Sequence, residues 1–290
     1  MGTPNRQVSI VTDTTACLPM EFARRHSVEI VPQVIRFGSE SFLEEVDITY
    51  AQFVTRLRSS TVLPSTAAPL VGDFVKAYER QLARSRAILS LHPSEQVSGT
   101  VRSALTARDT AFPGADIRVI DTRTVAGNLA SMVLAAVEWA EAGIGADEIL
   151  RRIQSWIPRG RTYFVVATLE YLQKGGRIGG ASALIGGALQ IKPLLQIKGG
   201  RVEVLEKVRT HHRALERLKE LVRAECPRSP EAHLSVMQAD EEAGAAQLAG
   251  ELKAALGLAD VAIYPAGPAI TTHAGPGTLA VGFFAEDGST

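Results

Sequence analysis

Short runs of β-branched residues alternate with longer segments of helical periodicity through the first half of this chain, and that alternation limits the fold more than any other feature. Val8–Asp13 (VSIVTD), the region VEIVPQVIRF, the run AILSL and the run IRVIDT read as strands. Helices are expected at Tyr50–Leu57 with Thr49 as N-cap, and at Leu70–Ser85, Ser98–Phe112, Asn128–Ala142 and Ala146–Trp156. Strand and helix in turn imply a largely parallel sheet with helices on both faces. Pro32 has no N–H to give to a ladder, so it favours an edge or a break in the second strand region.

After Ile157–Arg161 the character changes. TYFVVAT reads as a strand, and LLQIKGGRVEVLEKV as a hairpin turned by Gly199-Gly200, a pair that accepts positive φ at both turn positions. Thr210 is placed to cap a helix at His211–Glu225, with Arg213, Arg217 and Lys219 towards solvent. HLSVMQ and VAIYPA are further strands around a helix at Ala243–Leu256. With 290 residues the chain exceeds one typical domain. The expectation is two α/β domains, residues 1–159 and 160–290. The first would carry a mostly parallel sheet with flanking helices, the second a mixed sheet.

Lys plus Arg number 31 and Asp plus Glu 31, a zero formal charge that argues against broad nonspecific nucleic-acid binding. Cys17 and Cys226 make neither a metal pair nor a disulfide framework. The opening MGTPNRQVSIVTD lacks the apolar core of a signal peptide, and Arg6 stands where a myristoylation signal needs Ser or Thr. No run approaches the roughly 20 apolar residues of a membrane helix. A cytoplasmic protein is expected.

Three features bear on ligands. The first is TLEYLQKGGRIGG (Thr168–Gly180), whose glycines match neither G-x-G-x-x-G nor G-x-x-x-x-G-K-[ST]. It reads as a helix, Leu169–Lys174, closed by a left-handed Gly175, with Arg177 projecting between two glycine pairs. The second is a set of hydroxyls near the carboxyl ends of strands: Asp13–Thr15, Leu63–Pro69 ahead of a helix, and His92–Thr100. Each alone reads as an N-cap; three together suggest an anion held in the crevice beyond the strand ends. The third is His273, which ends an apolar segment and enters the turn Gly275-Pro276-Gly277. An imidazole held there can donate to an anion.

Catalytic arrangements fare poorly. There is no G-x-S-x-G elbow and no H-E-x-x-H, and His211 and His212 diverge as neighbours on a helix. Glu44-Glu45 and Glu241-Glu242 read as solvated turns or faces. The residues by themselves reach an anion-binding, two-domain α/β protein without evident catalytic machinery, and they leave the ligand unnamed.

The ordered set VTDTTACL, LPSTAAP, VSGTVRSA, LEYLQKGGRI, IKPLLQIKGG, KVRT and HAGPGTLAVGFF spans nearly the whole chain and resembles the DegV family of bacterial fatty-acid-binding proteins. The resemblance implies two α/β domains with one long-chain fatty acid buried between them. It implies a carboxylate held by the hydroxyls of Thr66 and Ser98 and the imidazole of His273, with backbone amides near Gly99 as further donors. Arg177 and Arg209 match arginines near the mouth, facing a kinase or the forming phosphate. On this reading the protein is not itself an enzyme and needs no cofactor. It presents its fatty acid to a separate ATP-dependent fatty acid kinase subunit, which makes acyl phosphate for phospholipid synthesis.

A carboxylate is buried only where several donors converge on it, and the tail needs only an apolar tunnel. At about 0.8 kcal/mol per methylene, a chain of roughly 16 carbons gains on the order of 10 kcal/mol before entropy costs. Ala183–Leu189 and the Leu194–Ile197 strand are candidate tunnel walls. The sequence departs from the family where Thr66-Ala67-Ala68-Pro69 replaces Thr-Ser-Gln-Pro, where Cys17 replaces a frequent Asp, and where SEQVSGT replaces Ser-Ser-Gly-Leu-Ser-Gly-Thr. These bear on the geometry behind the carboxylate and on chain-length preference. Cys17 is either a reactive thiol near the site or a buried inert one. Two other functions compete: the substrate-binding subunit of a dihydroxyacetone-kinase-like phosphotransferase, with His273 engaging a small carbonyl compound, and a lipid sensor with no kinase.

Overall fold

The structure, a computed structural model, describes residues 6–184 and 192–286. Its first part runs β1 (Arg6–Asp13), α1 (Met20–His26), β2 (Glu29–Val31), β3 (Val34–Phe37), β4 (Glu40–Leu43), α2 (Tyr50–Ser59), β5 (Ser65–Ala67), α3 (Val71–Leu82), β6 (Ser85–His92), α4 (Thr100–Ala111), β7 (Asp116–Asp121), α5 (Ala126–Glu141) and α6 (Ala146–Trp156). The second runs β8 (Gly160–Val165), α7 (Glu170–Lys174), β9 (Lys192–Lys198), β10 (Arg201–Val208), α8 (His211–Glu225), β11 (Ser235–Ala239), α9 (Glu242–Leu256), β12 (Ala262–Pro265), α10 (Pro268–Ala274) and β13 (Thr278–Phe284).

The N-terminal sheet is parallel throughout, in the order β2-β1-β6-β7. The C-terminal sheet is mixed, β10-β9-β8-β13-β11-β12, with only β11 and β12 parallel. Pro32 breaks the second strand region in two. Glu29–Val31 stays with the parallel sheet, while Val34–Phe37 turns away to centre a small antiparallel sheet, β4-β3-β5. That third sheet was not anticipated, because β5 is only three residues long and sits inside LPSTAAP. The expectation that this stretch caps a helix with its hydroxyls fails: α3 starts from Leu70, which makes no side-chain cap.

Helix α5 joins the two halves. It packs on β1 and β6 of one sheet and on β8, β11 and β13 of the other. Small residues allow this. A β-carbon on Gly127 would lie 2.3 Å from Ser235 Oγ and 2.7 Å from Met237 Sδ, so only glycine lets the helix approach the second sheet. The division at residues 159/160 coincides with the start of β8, while α5 and α10 pack across it. Ala269 of α10 is buried with Ile35, Phe37, Phe53 and Leu57 of the small sheet and α2. This contact brings β5 against α10.

Caps follow the expected chemistry at two helices. Thr49 makes a capping box with Gln52, and Thr210 accepts from Arg213 N. The hairpin turns where expected, with φ of 57° and 82° at Gly199 and Gly200. Three expectations are corrected. Gly175 ends α7 with right-handed φ of −76°, and Gly176, at 69°, takes the left-handed position. Lys219 does not face solvent: it lies between Glu216 and Glu251, tying α8 to α9, and Arg217 is half-buried against Glu206 and Glu220. Glu44 is no solvated turn residue but is 1% exposed.

Candidate functional site

A cavity with about 950 Å³ of empty space, counted out to its mouth, lies where the two halves and α10 meet. Val125, Phe164, Leu172, Ile197, Val202 and Met237 make its apolar walls. Thr66, Ser98, Arg177 and His273 also line it. An outer cleft, with Thr61, Ser65, Tyr171 and Lys174 on its walls, shares Thr66, Arg177 and His273 with the cavity. Those three side chains therefore stand at the boundary between an apolar interior and a polar entrance.

Each is held by a different element. Thr66 is the centre of β5, paired with Ile35 of β3. Ser98 precedes Gly99, the N-cap residue of α4, and accepts from Thr100 N at 3.3 Å. His273 lies in the last turn of α10, whose start is fixed by Pro268. Arg177 follows the left-handed Gly176. Its Nε donates to Val97 O across the site at 3.1 Å and its Nη1 to Gly175 O at 2.6 Å. The glycine loop is thus a mount for Arg177 with no nucleotide pattern in it.

Thr66 Oγ1 and His273 Nε2 are 2.7 Å apart, while His273 Nδ1 is buried without a partner among the described residues. Burial pushes the His273 imidazole down to about 4, with the Arg177 guanidinium adding to the effect. It is therefore uncharged at neutral pH. Gly175 gives it room: a β-carbon there would lie 2.2 Å from His273 Nδ1.

The other expected residues are placed as follows. Gly99 is the N-cap residue of α4, next to the lining Ser98, and a β-carbon added there would lie 3.5 Å from Ala68 Cβ, in ordinary contact. Arg209 is exposed in the bend between β10 and α8 and lines neither the cavity nor the cleft. Of the expected tunnel walls, Ile197 lines the cavity and Leu194 is buried in the core between the C-terminal sheet and α8. Ala183 and Leu184 belong to a short 3-10 turn, and the rest of Ala183–Leu189 lies outside the described residues. Burial drives the Cys17 thiol up to about 12, against a backbone hydrogen bond at Gly267 and with Glu44, Asp13 and Glu45 adding to the effect, so the protonated thiol is favoured over the thiolate.

Behind Ser98 lies a polar chain that ties the stretches Asp13–Thr15 and His92–Thr100 together through Gln33, which the sequence did not single out. Thr100 Oγ1 is 2.7 Å from Ser98 Oγ and accepts from Gln33 Nε2 at 2.8 Å. Gln33 Nε2 also donates to Asp13 Oδ1 at 3.0 Å, and Thr15 donates to the same oxygen through its N and Oγ1. Asp13 Oδ2 meets His92 Nδ1 at 2.7 Å, and the chain continues through Ser90 to Tyr78. Asp13 and His92 are wholly buried. A buried carboxyl group needs this many partners. The available signal was an Asp and a His each ending a buried strand, β1 and β6, that lie side by side.

The DegV family model, whose description is of uncharacterised proteins, matches residues 7–286. The chain belongs to the DegV family. A DegV domain-containing protein of Streptomyces coelicolor is 39% identical, over 96% of this chain and 98% of its own. The protein DegV of Bacillus subtilis is 30% identical, over 94% of this chain and 98% of its own. Among solved structures, a DegV family protein from Thermus thermophilus, described by its fatty acid binding, has TM-score 0.86 and 31% identity, with 97% of this chain and 100% of that chain covered. The structure of DegV from Bacillus subtilis, described as a fatty acid binding protein, has TM-score 0.87 and 29% identity over the same shares. The parallel N-terminal sheet and mixed C-terminal sheet are thus the DegV fold. No helix among the described residues of this DegV protein is long and apolar enough to cross a membrane.

Proposed function

We propose that this protein binds one long-chain fatty acid, with the tail in the apolar cavity and the carboxylate at Thr66, Ser98 and His273. The observation that carries the reading is the polarity of the cavity: predominantly apolar walls interrupted by Thr15, Gln33, Thr162, Gln238 and Thr278, with hydroxyls, an imidazole and a guanidinium at its entrance. The fatty acid binding described for the relatives from Thermus thermophilus and Bacillus subtilis supports it. A neutral His273 serves a carboxylate well. It donates one hydrogen bond without bringing a second buried charge beside Arg177.

The finer reading is that the bound carboxylate is presented to a separate ATP-dependent kinase. The outer cleft, with Lys174 and Arg177 on its walls, leaves the head-group end approachable from outside. A carboxylate oxygen would attack the terminal phosphorus of ATP held by the partner, ADP would leave, and acyl phosphate would form. Arg177 and, on the surface, Arg209 are the cations proposed to face the partner or the transferred phosphate. A pocket for dihydroxyacetone would need mostly polar walls, whereas Val125, Phe164, Leu172, Ile197, Val202 and Met237 make most of this one apolar.

Titration calorimetry with palmitate and with dihydroxyacetone tests the reading. One palmitate per chain and no heat from dihydroxyacetone is expected; the reverse would replace the lipid by a small carbonyl substrate. Acyl phosphate, trapped with hydroxylamine in the presence of ATP and the fatty acid kinase subunit, tests the partnership. Intact palmitate binding with no acyl phosphate would leave a lipid-binding protein without a kinase.

A further inference from the structure

The polar chain behind Ser98 has a direction, and the direction sets what the site accepts. Every group that meets Asp13 is a donor: Thr15 N, Thr15 Oγ1 and Gln33 Nε2 at one oxygen, His92 at the other. Facing an acceptor, the Gln33 amide must turn its NH₂ group, not its oxygen, towards Asp13. The second hydrogen of that NH₂ then goes to Thr100 Oγ1. Thr100 Oγ1 thereby accepts one bond, and of the two directions open to its contact with Ser98 Oγ, the one that also uses the Thr100 hydrogen makes Thr100 the donor. Ser98 Oγ also accepts from Thr100 N. With both lone pairs engaged, the one capacity left to Ser98 is its O–H, and Ser98 lines the cavity.

We infer that Asp13, Gln33 and Thr100 are positioning residues that lock Ser98 as a hydrogen-bond donor, so that the site selects an acceptor-only head group, an ionised carboxylate, over a neutral fatty alcohol or amide of equal length. This rests on the proposed fatty-acid reading and adds to it the origin of head-group selectivity. A free serine rotates its hydrogen to suit either kind of partner. A serine already holding two donated hydrogen bonds does not. A head group that also needs to donate finds no acceptor at Ser98 and has to turn to Thr66, His273 or Gln33 of the same cavity, whereas a carboxylate needs none. The same logic gives Gln33 a role that its place in the two-residue link between β2 and β3, directly after Pro32, did not suggest.

The test compares palmitate with 1-hexadecanol, by displacement of a fluorescent fatty acid, in the wild type, Thr100→Val and Gln33→Met. Thr100→Val keeps the shape of the side chain and removes only the relay oxygen. Gln33→Met keeps length and removes the amide. In the wild type palmitate binds far more tightly than hexadecanol. Both variants are expected to lose palmitate affinity by about tenfold or more, the scale of a hydrogen bond to a charged group, while hexadecanol affinity holds or rises, so that the ratio collapses. A merely structural role would weaken both ligands together and leave the ratio alone. An unchanged ratio in whichever variant folds overturns the inference while leaving the fatty-acid reading standing. A wild type that binds neither lipid overturns both.

Discussion

The α-carbon of Gly175 is the seat of the His273 imidazole. A β-carbon built there would come within 2.2 Å of His273 Nδ1, 3.0 Å of Cε1 and 2.9 Å of the Tyr171 carbonyl oxygen. The loop that resembles a phosphate cradle in one dimension is instead two supports in three. Gly175 makes space for the histidine, and Gly176 takes the left-handed turn that aims Arg177 across the site.

Gly175→Ala is therefore expected to displace His273 and cut palmitate affinity by about tenfold or more, since overpacking costs about 1–3 kcal/mol and a tenfold change needs about 1.4. Gly176→Asn is the control. Nothing lies within 4 Å of an added β-carbon there, and Asn tolerates positive φ. Calorimetry should find Gly176→Asn close to wild type; equal losses in the two variants would remove the seat from the account.

His273 makes the unliganded protein acid-sensitive. The unfolded imidazole takes its proton near 6.5, the folded one only near 4. Between those values the unfolded chain binds more protons, so this contribution to stability is full above 6.5 and is lost as pH falls towards 4. Urea unfolding of His273→Gln between pH 7 and pH 4 should lack up to roughly 3 kcal/mol of that loss. Palmitate should lessen the loss in the wild type, because a carboxylate beside the ring favours its charged form.

Glu44 gives the opposite slope. Its buried carboxyl accepts from Thr14 Oγ1 at 2.5 Å and from Ala269 N at 3.2 Å, and burial carries it up from 4.5 to about 8. The folded chain holds the extra proton in that interval, so stability is full below 4.5 and declines as pH rises through 8. Glu44→Gln keeps both contacts without the charge. It should be more stable than wild type at pH 9 by at least about 1 kcal/mol, with the two converging near pH 4. Parallel stability curves would contradict this.

Arg177→Ala should retain most palmitate binding and lose most acyl phosphate formation. Its guanidinium lines the cleft as well as the cavity, but the apolar walls proposed for the tail are made by other residues. Lost binding with normal turnover of the residual complex would place Arg177 at the carboxylate instead of facing the partner.

The fold was legible because its signals are local and periodic. Ala146–Trp156 and His211–Glu225 are helices over the expected residues, and the Gly199-Gly200 turn needed only two glycines to specify it. What the sequence hid is long-range. Thr66 lies 207 positions from His273, and His92 lies 79 from Asp13, so no window of sequence contains either pair. Glu44 reads as solvated beside Glu45 because burial is a property of what packs on it, here the start of α10. The short β5 was invisible as a strand because three residues carry no period. His273 and the hydroxyl stretches holding Thr66, Ser98 and Thr100 were visible in the residues, the resemblance joined Thr66, Ser98 and His273 at one carboxylate, and the roles of Gln33 and Thr100 and the seat at Gly175 required the three-dimensional arrangement.

Native mass spectrometry of the protein purified without added lipid, followed by organic extraction, tests the central claim most directly. The account predicts a single long-chain fatty acid on each chain, released on denaturation and identified in the extract. A chain that carries no lipid and takes up none when palmitate is added would contradict it.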